Sequence, residues 1–263
     1  MNRFDDENRI ISDFQQVEDN SVFFVVESKE AENIYQQIHS TELWKNWTNS
    51  SGKSDPPPDF YADKYTLMMD VMRIDDHAFI DSKGKVQNPT NAGESKLYKE
   101  LKDAGILQLF PNADVFINAK TVLPTEQDHN YSFYKENFKR VLSEHIKKIP
   151  LYKNNHQGYK TIFFILDESS AYIECQGEKP DMDKMQENDK IKALPHFFFW
   201  DSSFIEVFKD KQIDFLIWYA PFKLLRSDKG IIDLPKVAIF DCRILSNADL
   251  QSYNSAQMCS VEL

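Results

Sequence analysis

Residues 161–168 read TIFFILDE, the most apolar run of strand length in the chain, closed by two acids. The run is continuous rather than alternating, and a strand of that kind needs cover on both of its faces. Similar runs recur at Val22–Val26, Thr66–Ile74, Asp114–Asn118, His196–Trp200, Ile213–Tyr219 and Lys236–Phe240. Helical patterns lie between them. Lys29–His39 is one, and Glu27-Ser28-Lys29 reads as its start. Glu94–Ala104 is a second, with Leu97, Leu101 and Ala104 on one face and Gly105 as the cap that ends it. The third is Asn130–Ile149, where Tyr131, Tyr134, Phe138, Val141, His145 and Ile149 recur at helical spacing. Ser203 and Glu206 form a capping-box pattern ahead of Phe204, Val207 and Phe208. Strands alternating with helices predict an α/β fold, a mixed sheet of about five to seven strands with helices on both faces.

The 263 residues are expected to form a single α/β domain, with 1–47 as an N-terminal lobe appended to it in the alternative division. Two loops are expected. Residues 48–59 contain three consecutive prolines, and 176–192 are charged and nearly free of large apolar groups. Aromatic residues make up 13% of the chain, which excludes disorder over most of its length. Only 7 residues are Gly, so glycine-rich nucleotide loops are not expected. No apolar run has the length of a membrane span. Met1 to Asp19 is polar and acidic and does not read as a secretory signal. Cys175, Cys242 and Cys259 are widely spaced and odd in number, which fits neither a disulfide framework nor a zinc knuckle. A cytoplasmic protein without membrane contact is the expectation. The net charge of −11 works against indiscriminate nucleic-acid binding. Residues 135–160 nevertheless hold seven Lys/Arg against two acids, a local basic face.

Gly52-Lys53-Ser54 imitates the end of a phosphate-binding P-loop, but Trp47 stands where the first Gly is needed and Asp55-Pro-Pro-Pro58 comes directly after, so no helix N-terminus can receive a phosphate. Nothing indicates a nucleotide or redox cofactor. Asp167 and Glu168 sit where ligands gather, outside the carboxyl end of a strand; their plainer reading is a cap on the next turn, continued by Ser169 and Ser170. A second constellation is Asp70, Asp75, Asp76 and His77, in MMDVMRIDDH, and Asp128-His129 repeats the Asp-His pair. Carboxylates and imidazoles are the ligands of Mg²⁺, Mn²⁺ and Zn²⁺. Asp70 falls inside an apolar strand, where a carboxylate is costly unless paired, hydrogen-bonded or metal-bound. The plainer reading of Asp128 is a helix N-cap, and of Asp75 and Asp76 a polar turn. No Gly-x-Ser-x-Gly and no thiol-protease signature occurs, and His196 has no partner identifiable from sequence.

The element order carries a further reading. Asp70 stands in one strand, a hairpin-like turn comes next at Lys83-Gly84, and after a helix comes DVFINAK, residues 114–120. The basic helix and the strand at Thr161 complete the order. This succession over about 65–167 resembles the PD-(D/E)XK nuclease core. The resemblance implies acids holding Mg²⁺ and a Lys that positions or activates the attacking water. Asn118 stands where that pattern has its second acid; it can ligate through its amide oxygen but brings no charge.

The expectation is therefore a metal-dependent phosphodiesterase, a nuclease in that resemblance. Asp70, with Asp75 or Asp76 and Asn118, would hold Mg²⁺ or Mn²⁺, and Lys120 would orient water. Lys135, Lys139 and Arg140 would meet the nucleic-acid backbone, with His77, Asp167 and Glu168 as further candidates. A solvated helix face is the plainer reading of the basic residues, since Glu136–Arg140 and Glu144–Lys148 are helix-stabilising pairs without any ligand. The alternative function is a non-catalytic protein-interaction or regulatory component, defence-related or accessory, with no active site.

Overall fold

The computed structural model describes residues 3–50, 57–109, 129–177, 192–209, 211–227, 230–246 and 250–261. At its centre is β7 (Lys160–Asp167), hydrogen-bonded in parallel to β4 (Leu67–Ile74) on one side and to β10 (Phe215–Tyr219) on the other. Around these three strands the sheet reaches seven. β13 (Val237–Asp241) runs antiparallel to β10, and β1 (Val22–Phe24) runs parallel to β13. On the opposite flank β3 (Phe60–Ala62) and β2 (Thr48–Asn49) add two antiparallel strands. The mixed α/β sheet expected from the sequence is present.

The continuous apolar runs have the expected cause. Successive side chains of a strand point to opposite faces, and here both faces are cores. Phe163 and Ile165 of β7, Met68 and Met72 of β4, and Leu216 and Trp218 of β10 share one. Ile162 and Phe164, Met69 and Val71, and Phe215 and Ile217 share the other. Each such side chain contributes about 1.5–3 kcal/mol when fully buried.

Three helices cover the first face: α6 (Tyr131–Ile146), α7 (Ile149–Asn155) and α8 (Ser202–Phe208). α6 turns Tyr134, Phe138 and Leu142 onto the sheet. The second face is covered by α1 (Arg3–Phe14), α2 (Lys29–His39) and α3 (Thr41–Trp44). The segment treated above as a separable lobe thus supplies β1 to the sheet edge and Ile10, Phe14, Ile34 and Ile38 to its cover. α2 starts where expected, with Ser28 accepting from the Ala31 N–H at 3.2 Å. α4 (Pro89–Asp103) and α5 (Ile106–Leu109) meet at Gly105, whose φ of 72° is the left-handed cap conformation. Before them, β5 (Phe79–Ile80) and β6 (Val86–Gln87) form the hairpin read at Lys83-Gly84, with Gly84 at φ 75°. β8 (Tyr172–Cys175), β9 (Ala193–Pro195) and β14 (Met258–Ser260) make a small separate sheet, and β11 (Leu224–Ser227) pairs with β12 (Gly230–Asp233).

Three expectations need correction. His196–Trp200 is no strand: Phe198–Trp200 is a 3-10 turn closed by Trp200 N–H to the Phe197 carbonyl at 2.9 Å. Phe198 and Phe199 are both buried at consecutive positions, which a run of aromatics cannot distinguish from a two-sided strand. Asp201, not Ser203, caps α8 by accepting from the Ser203 N–H at 2.9 Å. Asn130 caps α6, accepting from Ser132 and Phe133 N–H, whereas Asp128 lies outside the described residues. So do the segment 114–120, Gly52-Lys53-Ser54 and most of the 176–192 loop. Among the described residues no helix is long and apolar enough to cross a membrane.

Candidate metal centre

The parallel strands β4 and β7 end together, and both chain segments turn polar as they leave the sheet. Ile74 of β4 is level with Asp167 of β7, and the next residues are Asp75-Asp76-His77 on one segment and Glu168-Ser169-Ser170 on the other. Ligands of open α/β sheets bind outside such carboxyl ends.

Asp76 is fully buried there. Its Oδ2 accepts from the Ser170 N–H at 3.1 Å, the Ser170 hydroxyl at 2.9 Å and the Tyr172 hydroxyl at 2.7 Å. Its Oδ1 faces two imidazoles, His129 Nδ1 at 3.2 Å and His77 Nε2 at 3.6 Å. The ligand atoms of all three residues lie within 4.8 Å of one another. His129 Nδ1 also lies 3.3 Å from Oδ2, so it straddles the carboxylate, whose Oδ2 is in addition fixed by three donors and whose Oδ1 is turned towards His77. Burial works against the charge on Asp76. The hydrogen bond and charge of His129, the charge of His77 and the Tyr172 hydroxyl outweigh it and hold the carboxyl well below the usual carboxylate range. Burial and the neighbouring Asp76 push the Tyr172 phenol far up, so it stays a donor.

Backbone turns place the two imidazoles. Asp75 Oδ1 accepts from the His77 and Ala78 N–H groups at 3.2 and 3.0 Å, and Asn88 Nδ2 donates to its Oδ2 at 2.8 Å. Asp75 therefore shapes the turn that carries His77, which is the polar-turn role read for it above. His129, at φ 51°, directly precedes the Asn130 cap of α6, and the Asn130 N–H reaches the Asp76 carbonyl at 3.4 Å. The two rings meet edge to face with centroids 4.5 Å apart.

A tetrahedral centre with ligand bonds near 2.0 Å sets its ligand atoms about 3.3 Å apart. The separations of 3.2 and 3.6 Å from Asp76 to the imidazoles already match that edge. Two imidazoles and a carboxylate suit Zn²⁺, Fe²⁺ or Mn²⁺, whereas Mg²⁺ prefers an all-oxygen shell. Three protein ligands leave a coordination position for water or substrate.

The other expected residues are placed differently. Asp70 points from mid-β4 to the helices, where His145 Nδ1 and the Tyr152 hydroxyl (2.8 Å) contact its Oδ2. The rise from Asp70 to Ile74 alone is about 13 Å, so Asp70 and Asp76 cannot share an ion. The cost of its burial is met by hydrogen bonding, and His145, from the apolar stripe of α6, is one of its partners. Asn118 and Lys120 lie outside the described residues. Asp167 is fully buried: Ser169 N–H and hydroxyl donate to Oδ1 at 3.0 and 2.6 Å, and Trp218 Nε1 and the Tyr134 hydroxyl donate to Oδ2 at 2.8 and 2.5 Å. Lys223, also buried, stands 3.3 Å from the same oxygen and donates to Ser169 Oγ and the Ser170 carbonyl. Asp167 is the turn cap expected, reinforced by an ion pair. Glu168 pairs with Arg73 at 2.6 Å near the surface.

Of the basic helix, Lys135 donates to Ser255 Oγ at 2.8 Å, and Arg140 is held by Asn137 and lies 3.8 Å from Glu144. Lys139 is exposed. His196 has the partner that sequence could not name, Asp201 at 2.8 Å; burial pushes the imidazole below its usual value, and Tyr131 donates to the same carboxylate. A cleft of about 280 Å³ runs along β4 between α1 and α6, past Glu7, Arg73 and Glu144, and none of the three candidate metal ligands lines it.

No protein-family model, no curated protein and no solved structure matches the chain.

Proposed function

We propose that the chain is a metal-dependent hydrolase whose ion is held by Asp76, His77 and His129. The observation that carries this reading is the buried Asp76 carboxylate, oriented by three donors on Oδ2 and approached by two imidazoles, His77 at Oδ1 and His129 across both oxygens. Donors behind a ligand carboxylate are the usual means of fixing its direction and basicity. A metal in this position supplies a bound water of lowered pKa as the nucleophile. The residues of the chain then have separate duties: Ser170 and Tyr172 hold Asp76, Asp75 sets the His77 turn, and Asn130 joins the loop to α6. The N-terminus of that 16-residue helix adjoins the site, and its dipole favours an anionic substrate. Phosphate diesters are accordingly the proposed substrate class, with the metal at Asp76 instead of Asp70.

The test is thermal unfolding in EDTA and then with Zn²⁺, Mn²⁺ or Mg²⁺, followed by hydrolysis of bis(p-nitrophenyl) phosphate. An ion at a hundred times its Kd adds about 2.7 kcal/mol, which raises the midpoint by roughly 5–10 °C at this chain length. The shift and the hydrolysis should both vanish in His129→Ala. Equal midpoints with and without every metal would leave His129–Asp76 as a structural ion pair and refute the reading. A metal shift without hydrolysis would retain the site and refute the diesterase.

A further inference from the structure

Cys175 and Cys259 stand 84 residues apart in the chain, yet their sulfurs are 3.0 Å apart. Cys175 ends β8 and Cys259 is the middle residue of β14. The strands are antiparallel with Cys259 opposite Ile173, so the two cysteines are diagonal neighbours on the same face of the ladder. Both are buried and neither is in a disulfide. The third cysteine, Cys242, comes directly after β13, and burial pushes its thiol far up. It lies outside the β8–β14 ladder and serves as an internal control. β14 is three residues long and lies at the edge of its sheet, with β8 as its neighbour. Short edge elements of this kind open at low free-energy cost, which admits a small oxidant.

We propose that Cys175 and Cys259 form a peroxide-oxidisable dithiol that closes a reversible disulfide between β8 and β14. The first sulfur attacks the O–O bond of hydrogen peroxide, takes up one oxygen as a sulfenic acid and releases the other as water. The second sulfur then attacks the sulfenic sulfur, forming the S–S bond and expelling that oxygen as a second water. Two thiols lose two electrons and two protons, and one peroxide becomes two waters. Because the second sulfur is already in contact, its attack is intramolecular and outruns further oxidation of the first. The clamp also reaches the site described above. Ser260, the residue after Cys259, places its hydroxyl 2.8 Å from that of Ser170, a donor to Asp76. The thiol chemistry itself does not depend on the metal reading.

The experiment treats the whole chain, in EDTA, with hydrogen peroxide, removes the oxidant, alkylates the remaining thiols and maps an unreduced digest by mass spectrometry. The expected product is a monomer two hydrogens lighter, with the Cys175 and Cys259 peptides joined, Cys242 alkylated, and reversal by dithiothreitol. Its melting midpoint should rise by roughly 9–18 °C, as for a cross-link closing a loop of this length. In Cys259→Ser, Cys175 should stop at a sulfenic acid that dimedone traps. Cys175→Ser gives the reciprocal reading should the first variant fail to fold. Recovery of both cysteines alkylated, their direct passage to sulfinic acid, a bond to Cys242 or a bond between two chains would each overturn the proposal.

Discussion

Substituting Asp59→Asn should make the protein more stable at pH 8 and flatten its stability profile below that. Asp59 is half-buried beside β4, and its Oδ2 accepts from the Val71 N–H at 2.8 Å. Burial first, then the charges of Asp70 and Glu7, push its carboxyl up to about 8. In the unfolded chain the same group titrates near ~3.9. Between these values the folded chain holds a proton that the unfolded chain has lost. Stability from this group is therefore fully present below about pH 4 and is lost as pH rises towards 8. Four pH units at 1.36 kcal/mol each give about 5 kcal/mol as the upper limit. Water at a half-buried site screens much of this, and about 2 kcal/mol is the working figure. Asparagine keeps the acceptor oxygen for Val71 and cannot ionise. Parallel melts of both proteins from pH 5.5 to 8.5 sample about 1.2 kcal/mol of this and should show a difference in midpoint that grows by roughly 2–5 °C with pH, in favour of the variant. Parallel profiles would show that Asp59 is already ionised at pH 5.5 and that the Asp59–Asp70 contact does not hold a proton.

Two further outcomes concern the carboxyl end of the sheet. Lys223→Met removes the cation from a fully buried Asp167 and should cost about 3–5 kcal/mol in urea unfolding; a loss under about 1 kcal/mol would mean that the remaining donors suffice to carry the charge. Ser170→Ala removes one donor to Asp76 Oδ2 and should weaken Zn²⁺ binding about 10–100-fold in competition with a chromophoric chelator. Unchanged affinity in that variant would detach Ser170 from the metal site.

The fold was most legible where burial is two-sided. β7, β10 and β13 are apolar at successive positions because each face meets a core, and a run like TIFFIL admits few other arrangements. α2 was legible for a second reason, since Ser28, a preferred N-cap residue, stands directly before its apolar periodic run. Elements of two or three residues such as β2 and β3 are shorter than any period that could mark them. α1 is hidden by its acids: among its described side chains Ile10, Ile11 and Phe14 mark the apolar buried face, and Phe14 packs on Phe164 and Tyr219. The HFFFW segment misled because aromatic rings satisfy a turn as readily as a strand when both sides are core.

Asp70 and Asp76 show why the site was only half legible. Both are buried carboxylates on the same stretch of chain, and local sequence assigns each the same penalty and the same set of remedies. The fold separates them. Asp70 points mid-strand into packed helices, where a hydroxyl and an imidazole hold its Oδ2 and the Asp59 carboxyl lies beside it. Asp76 comes after the last rung of β4, where the backbone leaves the ladder and the surrounding turns, those of Ser170 and His129, are built from polar residues. A metal ligand needs that second setting, because three side chains from different segments must converge on one point with a position left over. The repeated Asp-His pair, at Asp76-His77 and Asp128-His129, was the one trace of this in the sequence. Its meaning depends on the end of β4 and the start of α6 lying side by side, with 53 residues between Asp76 and His129. Spacing along the chain carries no record of that juxtaposition; the parallel crossover between β4 and β7 creates it.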